Sequence, residues 1–152
     1  MFTISSSKYD IPFPSIHVLS AWVRLGHKYQ IDSLVEDALG LLRRCYPGMS
    51  LWELTDSAGG TIEIYRPSSI AGVFAIGVVN LARLVDDKGL LPLALLECCK
   101  VGAEVVHGYE REDGSRELLS PDDLARCFAA TSTLVLQTLF DITALVNALE
   151  PD

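Results

Sequence analysis

The chain has 152 residues, enough for one hydrophobic core, and it is apolar, with 49% hydrophobic against 21% charged residues. Its 20 acidic and 12 basic residues give a formal net charge of −8, which argues against nucleic acid or an anionic membrane surface as a partner, since both are bound by clustered Lys and Arg. The apolar fraction predicts that some apolar surface is covered by a partner or by further sequence.

Residues 1–14 are predicted to form an extended N-terminal segment, because Pro12 and Pro14 exclude a helix there. This segment has neither a basic start nor a continuous apolar run, so it does not resemble a targeting sequence. We therefore expect an intracellular protein, cytoplasmic or nuclear.

Two amphipathic helices joined by a short turn are predicted over residues 15–46. Apolar residues at helical spacing share one face of each helix. They are Ile16, Leu19, Trp22, Val23 and Gly26 in the first helix, and Ile31, Leu34, Val35, Ala38, Leu39 and Leu42 in the second. Asp32 or Ser33 can cap the second helix, with Ser33 and Glu36 at capping-box spacing, and the tight connection predicts an antiparallel or crossed pair.

The segment after Pro47-Gly48 predicts a surface loop with a short helical turn around Trp52 and one strand-like stretch, Thr61–Tyr65. Ser68 or Ser69 can cap a third helix that runs to Lys88-Gly89. Its glycines, Gly72 and Gly77, lower helix propensity, which predicts compensating close packing.

The C-terminal part predicts further helices. Pro92 suits the first turn of one of them, and the polar stretch His107–Arg116 predicts a surface loop. The segment Ser120–Asp123 predicts the start of the last helix, with a cap, a proline and acidic residues in the first turn. The apolar stretches Ile70–Val85 and Thr131–Leu149 are interrupted by polar residues, so both are interpreted as buried helices rather than membrane spans. A weak membrane anchor is a minor alternative for the second stretch.

These elements predict an all-α fold of five to six helices in an irregular orthogonal bundle, with at most one short strand-like segment near Thr61–Tyr65. Residues 15–149 form a single helical domain in this prediction. It divides into the helix pair 15–46 and the C-terminal helical region 68–149.

No catalytic, cofactor-binding or metal-binding residue is predicted. The four cysteines, Cys45, Cys98, Cys99 and Cys127, form no zinc-type pattern, so free thiols are expected. Candidate partner contacts are two tryptophans that could anchor a partner and two residues near the end of the first helix. They are Trp22, His27, Tyr29 and Trp52. Aromatic residues at helical spacing are more often core residues, and His27 also suits the helix dipole.

Three segments of the sequence resemble the BTB/POZ-domain proteins of mushroom-forming fungi. They are LSAWVRLGHKYQIDSLVEDALGLLRRCYP, VNLARLVDDKGLLPLALLECCK and REDGSRELLSPDDLARC. The residues that carry this resemblance lie at the end of the first predicted helix, in the turn and at the start of the second helix. They are Leu25, Lys28, Tyr29, Ile31 and Leu34. The resemblance spans residues 12–136 and implies that 18–29 and 32–46 correspond to the two late BTB helices, while the N-terminal BTB core is absent.

This resemblance implies a non-enzymatic protein–protein interaction module, a scaffold or a substrate adaptor for cullin-type ubiquitin ligases. Its partner would be a protein of unknown identity or a second copy of the chain, with neither nucleic acid nor membrane involved. Two alternatives are a small helical enzyme or ligand-binding domain with an unrecognised pocket, and a truncated fragment without an independent function.

Overall fold

The computed structural model describes residues 13–48 and 66–149. These ranges contain five α-helices: α1 (Ile16–Tyr29), α2 (Asp32–Cys45), α3 (Ala75–Leu84), α4 (Leu91–Val101) and α5 (Pro121–Leu149). Two 3₁₀ turns, Gly72–Phe74 and Gly102–His107, precede α3 and follow α4. The predicted all-α fold is confirmed. Residues 1–12 of the predicted extended segment 1–14, the helical turn at Trp52 and the strand-like Thr61–Tyr65 lie outside the described residues.

The helix pair α1–α2 forms as predicted around a tight turn. Ser15 caps α1 by accepting the Val18 N–H at 3.4 Å. Gln30 then adopts a left-handed conformation, and the Ile31 N–H bonds the Gly26 carbonyl at 2.8 Å. A Cβ atom at Gly26 would lie 2.7 Å from Cγ2 of Val35, so glycine is required where α2 crosses α1.

The predicted capping of α2 is wrong. The helix begins at Asp32, its N-cap residue is Ile31, and no side chain caps it. The turn after α1 already bonds Ile31 back to Gly26 and delivers Asp32 in helical conformation. Asp32 and Ser33 are therefore inside the helix, one and two positions too late to cap it.

The start predicted for the third helix is also wrong, because α3 begins at Ala75 and not after Ser68 or Ser69. Gly72 has a φ of +58°, which interrupts a right-handed helix. The close packing predicted at the two glycines is wrong at Gly72, where an added Cβ atom would meet nothing within 4 Å, and is confirmed at Gly77. A Cβ atom there would lie 2.5 Å from the Tyr109 hydroxyl and 2.7 Å from Cγ1 of Ile16.

The core lies around α3, whose residues from Ala75 to Val79 are all buried. It packs against α1 on one side and against α4 on the other. Tyr46, at the end of α2, is fully buried and donates its hydroxyl hydrogen to the Ile70 carbonyl at 2.6 Å. This bond ties the segment before α3 to the α1–α2 pair.

The polar stretch predicted as a loop contains a small hairpin. Strands β1 (Tyr109–Glu110) and β2 (Arg116–Glu117) pair antiparallel around a turn at Gly114. The carboxylate of Glu117 is buried. It accepts hydrogen bonds from Arg24 at 2.9 Å, from Asn80 at 2.5 Å, and from Arg111. The hairpin is thereby fixed to α1 and α3.

The start of α5 is confirmed as predicted, and it is anchored by a buried carboxylate. Asp123 donates its backbone N–H to the Ser120 hydroxyl at 3.1 Å. Its side chain, 2% exposed, accepts two hydrogen bonds from Arg83 of α3, at 2.6 and 3.1 Å, and one from Arg126 at 2.8 Å. The first turn of α5 is thus bonded to the central helix.

The prediction that residues from Thr131 onwards form a buried helix is wrong for Ser132–Ala148, where every side chain is exposed. Of the described helices, α5 packs mainly on α4, but α4 is only about 17 Å long and α5 about 44 Å at 1.5 Å per residue. The second half of α5 therefore extends past the bundle. The stretch Pro121–Ala148 is long and apolar enough to cross a membrane, by length and composition only.

Replacing Leu39 by Asp tests the interior of the helix pair. Leu39 is 3% exposed, so Leu39→Asp buries an unpaired charge and is expected to destabilise the fold by about 3 kcal/mol or more. Thermal denaturation followed by circular dichroism measures this loss. The control is Gly40→Asp, at an exposed neighbour whose added Cβ meets nothing within 4 Å. A wild-type transition in Leu39→Asp would contradict the described packing.

The Asp123 anchor predicts a dependence of stability on pH. Hydrogen bonds from Arg83 hold the pKa of this carboxyl below its ordinary value of 3.8. Its stabilising effect is therefore present above about pH 4 and is lost as the pH falls through the lower pKa of the folded state.

Urea denaturation of wild type and Asp123→Asn at pH 7, 4 and 3 tests this dependence. We expect Asp123→Asn to be less stable at pH 7 by about 1–3 kcal/mol, and the difference to shrink at pH 3. If the difference in unfolding free energy between wild type and Asp123→Asn stays constant from pH 7 to pH 3, the negative charge of Asp123 does not contribute to stability.

Candidate interaction surface

A continuous apolar stripe runs along α5 from the bundle into solvent. Its first residues, Leu124, Cys127 and Thr131, are buried or half-buried where α5 meets the bundle. Beyond them, residues at helical spacing continue on the same side of the helix. We name these the distal stripe: Leu134, Val135, Thr138, Leu139, Ile142, Leu145 and Val146.

The apolar side chains of the distal stripe are about half exposed, from 46% at Leu134 to 62% at Leu145. Covering such a side chain contributes on the order of 1 kcal/mol, because full burial of a Val, Leu or Ile contributes about 1.5–3 kcal/mol. An apolar patch of this extent on a described helix is unusual for a soluble monomer and is typical of a binding surface.

The hydroxyl groups on this part of α5 and the amide of Gln137 are bonded within the helix. Five hydroxyl groups donate to the carbonyl four residues earlier, at 2.8–3.1 Å: Thr131, Ser132, Thr133, Thr138 and Thr143. The amide of Gln137 donates to the Asp141 carboxylate at 3.0 Å. Covering the distal stripe would therefore leave no hydroxyl donor of α5 without an acceptor.

An apolar groove of about 660 Å³ adjoins the distal stripe. It lies between α4 and α5, and the segment around Gly89 closes one end. Its apolar wall is formed by Leu93, Leu95, Leu96, Cys99, Ala130 and Leu134. Leu134 belongs to both the groove and the distal stripe, so the two form one surface.

The predicted partner contacts lie elsewhere. Trp22 is half-buried against the core, whereas His27 and Tyr29 are exposed at the end of α1. Trp52 lies outside the described residues. None of the first three belongs to α5 or lines the groove. With Leu25 and Ile31, Tyr29 forms a smaller exposed apolar patch around the α1–α2 turn.

The periodicity of α5 is the signal that could have located the distal stripe. The last helix is correctly predicted from the sequence, but its apolar residues are interpreted there as buried. Spacing shows which residues share a face, and it does not show whether a neighbouring helix is long enough to cover them.

The cysteines are free thiols, as expected. Burial raises the pKa of Cys98 and Cys45, and it raises the pKa of Cys127 to about 12. These thiols therefore remain protonated at neutral pH and are poor nucleophiles. Within residues 13–48 and 66–149, no group of three or more His, Cys, Asp or Glu side chains is arranged to hold a metal ion.

No family model, curated protein or solved structure matches this chain. The BTB/POZ resemblance rests on the three quoted sequence segments alone and stays a prediction. What the protein does must therefore be inferred from the chemistry of its own surface. The distal stripe and its adjoining groove are the strongest features of that surface in the described part of the chain.

Proposed function

We propose that the protein is a non-enzymatic interaction module, a scaffold or adaptor that binds a protein through the distal stripe and the groove beside it. The observation that carries this proposal is the exposed apolar stripe on Ser132–Ala148, which at 1.5 Å per residue is about 25 Å long. A preformed apolar helix face of this length suits a partner that supplies a helix or an apolar groove.

The energy available from the stripe is sufficient for binding. Its six apolar side chains, all except Thr138, contribute together on the order of 6 kcal/mol when covered, and the partner's apolar surface contributes a similar amount. Since α5 is already helical, little further ordering of this chain opposes binding. An affinity in the micromolar range is expected from this balance.

The polar groups of the described residues support the non-enzymatic proposal. The buried carboxylates of Glu117 and Asp123 are each paired with arginines. His17 packs edge-on against Phe74 and Tyr109, and the other two histidines are exposed. Glu117 and Asp123 line the same open cleft of about 670 Å³, but each carboxylate is held by two of the arginines that also line the cleft, and none of the three histidines lines it. Carboxylates paired in this way are not free to act as a general base.

The BTB/POZ resemblance supplies a narrower form of the proposal, in which the protein is an intracellular substrate adaptor of a cullin-type ubiquitin ligase. Calorimetric titration of the purified chain with the N-terminal region of a cullin tests this form. Saturable binding would support it. The absence of a heat of binding at high micromolar concentration would contradict the cullin-adaptor form of the proposal. It would not affect the proposal of a general interaction module.

Membrane attachment through α5 is a second candidate, because this helix is long and apolar enough to span a bilayer. Leu136 and Phe140 are also exposed and lie off the distal stripe, which suits lipid. Asp141, however, lies near the centre of the exposed part, where an acidic residue costs about 2.5–3.5 kcal/mol. This charge favours a protein partner over lipid.

A charge placed on the distal stripe tests the proposed function. Ile142→Asp lies in the middle of the stripe, and the matched control, Ala144→Asp, lies on the opposite side of α5. Both residues are exposed, so both variants should fold as wild type does. We expect Ile142→Asp to weaken partner binding at least about tenfold, because the new charge must be desolvated.

The measurement begins with affinity capture from an extract of the natural source, using wild type and both variants. A protein retained by wild type and Ala144→Asp but lost with Ile142→Asp is then purified and titrated against all three. Equal affinities for wild type and Ile142→Asp would contradict the proposed site. Failure of wild type to bind any purified candidate would contradict the proposed function.

A further inference from the structure

We infer that the distal stripe pairs with the distal stripe of a second copy, so that two α5 helices pack antiparallel in a two-fold dimer. This inference rests on the proposed function and identifies the partner. Three observations support it: the spacing of the stripe, the position of α4 and the charges on α5.

The spacing of the stripe is that of a helix pair. Phe128, Val135 and Ile142 recur every seven residues, and Leu124, Thr131, Thr138 and Leu145 repeat at the same interval between them. Alternating steps of three and four residues keep an apolar seam facing one partner helix. The seam repeats along the helix, so the same sequence in a second copy is complementary to it.

The position of α4 decides the orientation of the second helix. Where α5 packs on the bundle, α4 covers one edge of the seam: Leu124 and Thr131 are half-buried and Phe128 is 48% exposed. Beside this edge, the Cys127 thiol contacts the Leu95 carbonyl at 3.9 Å and the Cys99 thiol contacts the Cys127 carbonyl at 3.6 Å. A parallel second copy would bring its own residues 121–130, with the bundle packed on them, alongside the first bundle, so that the two bundles would crowd each other. In an antiparallel copy, those residues lie past Leu149, the last residue of α5, so the two bundles lie at opposite ends of the helix pair.

Antiparallel pairing also gives a register without gaps. With residues 131–149 of the two copies aligned head to tail, Val135 faces Leu145 of the second copy and Thr138 faces its Ile142. The overlap is about 28 Å long. It buries on the order of 1,000 Å² in total, which is at the lower limit for a specific interface and predicts a reversible, weak dimer.

The charges on α5 permit this contact despite the net charge of −8 on each chain. The distal stripe has no charged side chain, and Asp141 is the single charged residue in Ser132–Ala148. In the antiparallel register, Asp141 lies at the edge of the seam near the two-fold axis, close to Asp141 of the second copy. This like-charge pair should weaken the dimer, and Asp141→Asn should strengthen it.

Sedimentation equilibrium of the full chain from low to high micromolar concentration measures the dimer. We expect a reversible monomer–dimer equilibrium for wild type and Ala144→Asp, a monomer for Ile142→Asp, and a dimer dissociation constant several-fold lower for Asp141→Asn than for wild type. A wild-type monomer at every concentration would overturn the inference. So would a dimer that Ile142→Asp leaves unchanged.

Thiol cross-linking tests the orientation. The variants Asp141→Cys and Ala148→Cys place a thiol at two positions one seven-residue repeat apart on the same side of α5. In the antiparallel dimer the two thiols introduced at position 141 are adjacent, whereas the two introduced at position 148 are on the order of 20 Å apart along the axis. A short bismaleimide should therefore link Asp141→Cys alone, with wild type as the control for the native cysteines. Equal linking of both variants would indicate parallel helices and overturn the inference.

Two further results separate this inference from the proposed function. Flotation with phosphatidylcholine vesicles tests lipid as the occupant of the stripe. Both proposals would be overturned if wild type is a monomer that floats with the vesicles and the Ile142→Asp variant does not float. A monomer that does not float but binds a purified partner through the stripe would overturn the dimer and leave the proposed function intact.

Discussion

The ion pair between the buried carboxylate of Asp123 and the partly exposed guanidinium of Arg83 positions α5, whose exposed apolar stripe is the proposed binding surface. Asp123 is in the first turn of α5 and Arg83 is near the end of α3, so their two hydrogen bonds fix the start of the longest described helix to the end of the central helix. Ser120 and Arg126 satisfy the remaining acceptor positions of the carboxylate. A buried charge paired this completely is costly to separate, and the direction of α5 is therefore well defined from its first turn.

That fixed direction, together with unequal helix lengths, produces the exposed stripe. The groove between α4 and α5 and the contacts of Cys127 show that the first part of α5 packs as an ordinary amphipathic helix. The apolar pattern does not change where α4 ends. The same seam continues from Thr131 through Ile142 with no described element over it. Packing on α4 thus accounts for the apolar residues in the first half of α5. The second half has the same apolar pattern, but no described element packs against it.

The sequence predicted features that depend on local chemistry. The Ser120 cap, Pro92 in the first turn of α4 and close packing at Gly77 all follow from short-range rules. The errors occurred where the outcome depends on a backbone conformation or on a distant neighbour. Gly72 can be helical or left-handed, and its left-handed conformation moved the start of α3. Burial of the distal stripe depended on the length of α4 relative to α5, which periodicity does not encode.

The polar side chains of α5 are as informative as its apolar ones. In water, an exposed threonine gains little from bonding its own helix, yet Thr138 and Thr143 donate to carbonyls of the preceding turn. Such internal bonds matter when water is removed, since they leave the methyl groups and the neighbouring leucines to make contact. The one charge, Asp141, is off the seam and bonded to Gln137. A helix with these properties can lose its water along one face at low cost, while Asp141 keeps another face hydrated, which suits contact with a second helix better than immersion in lipid.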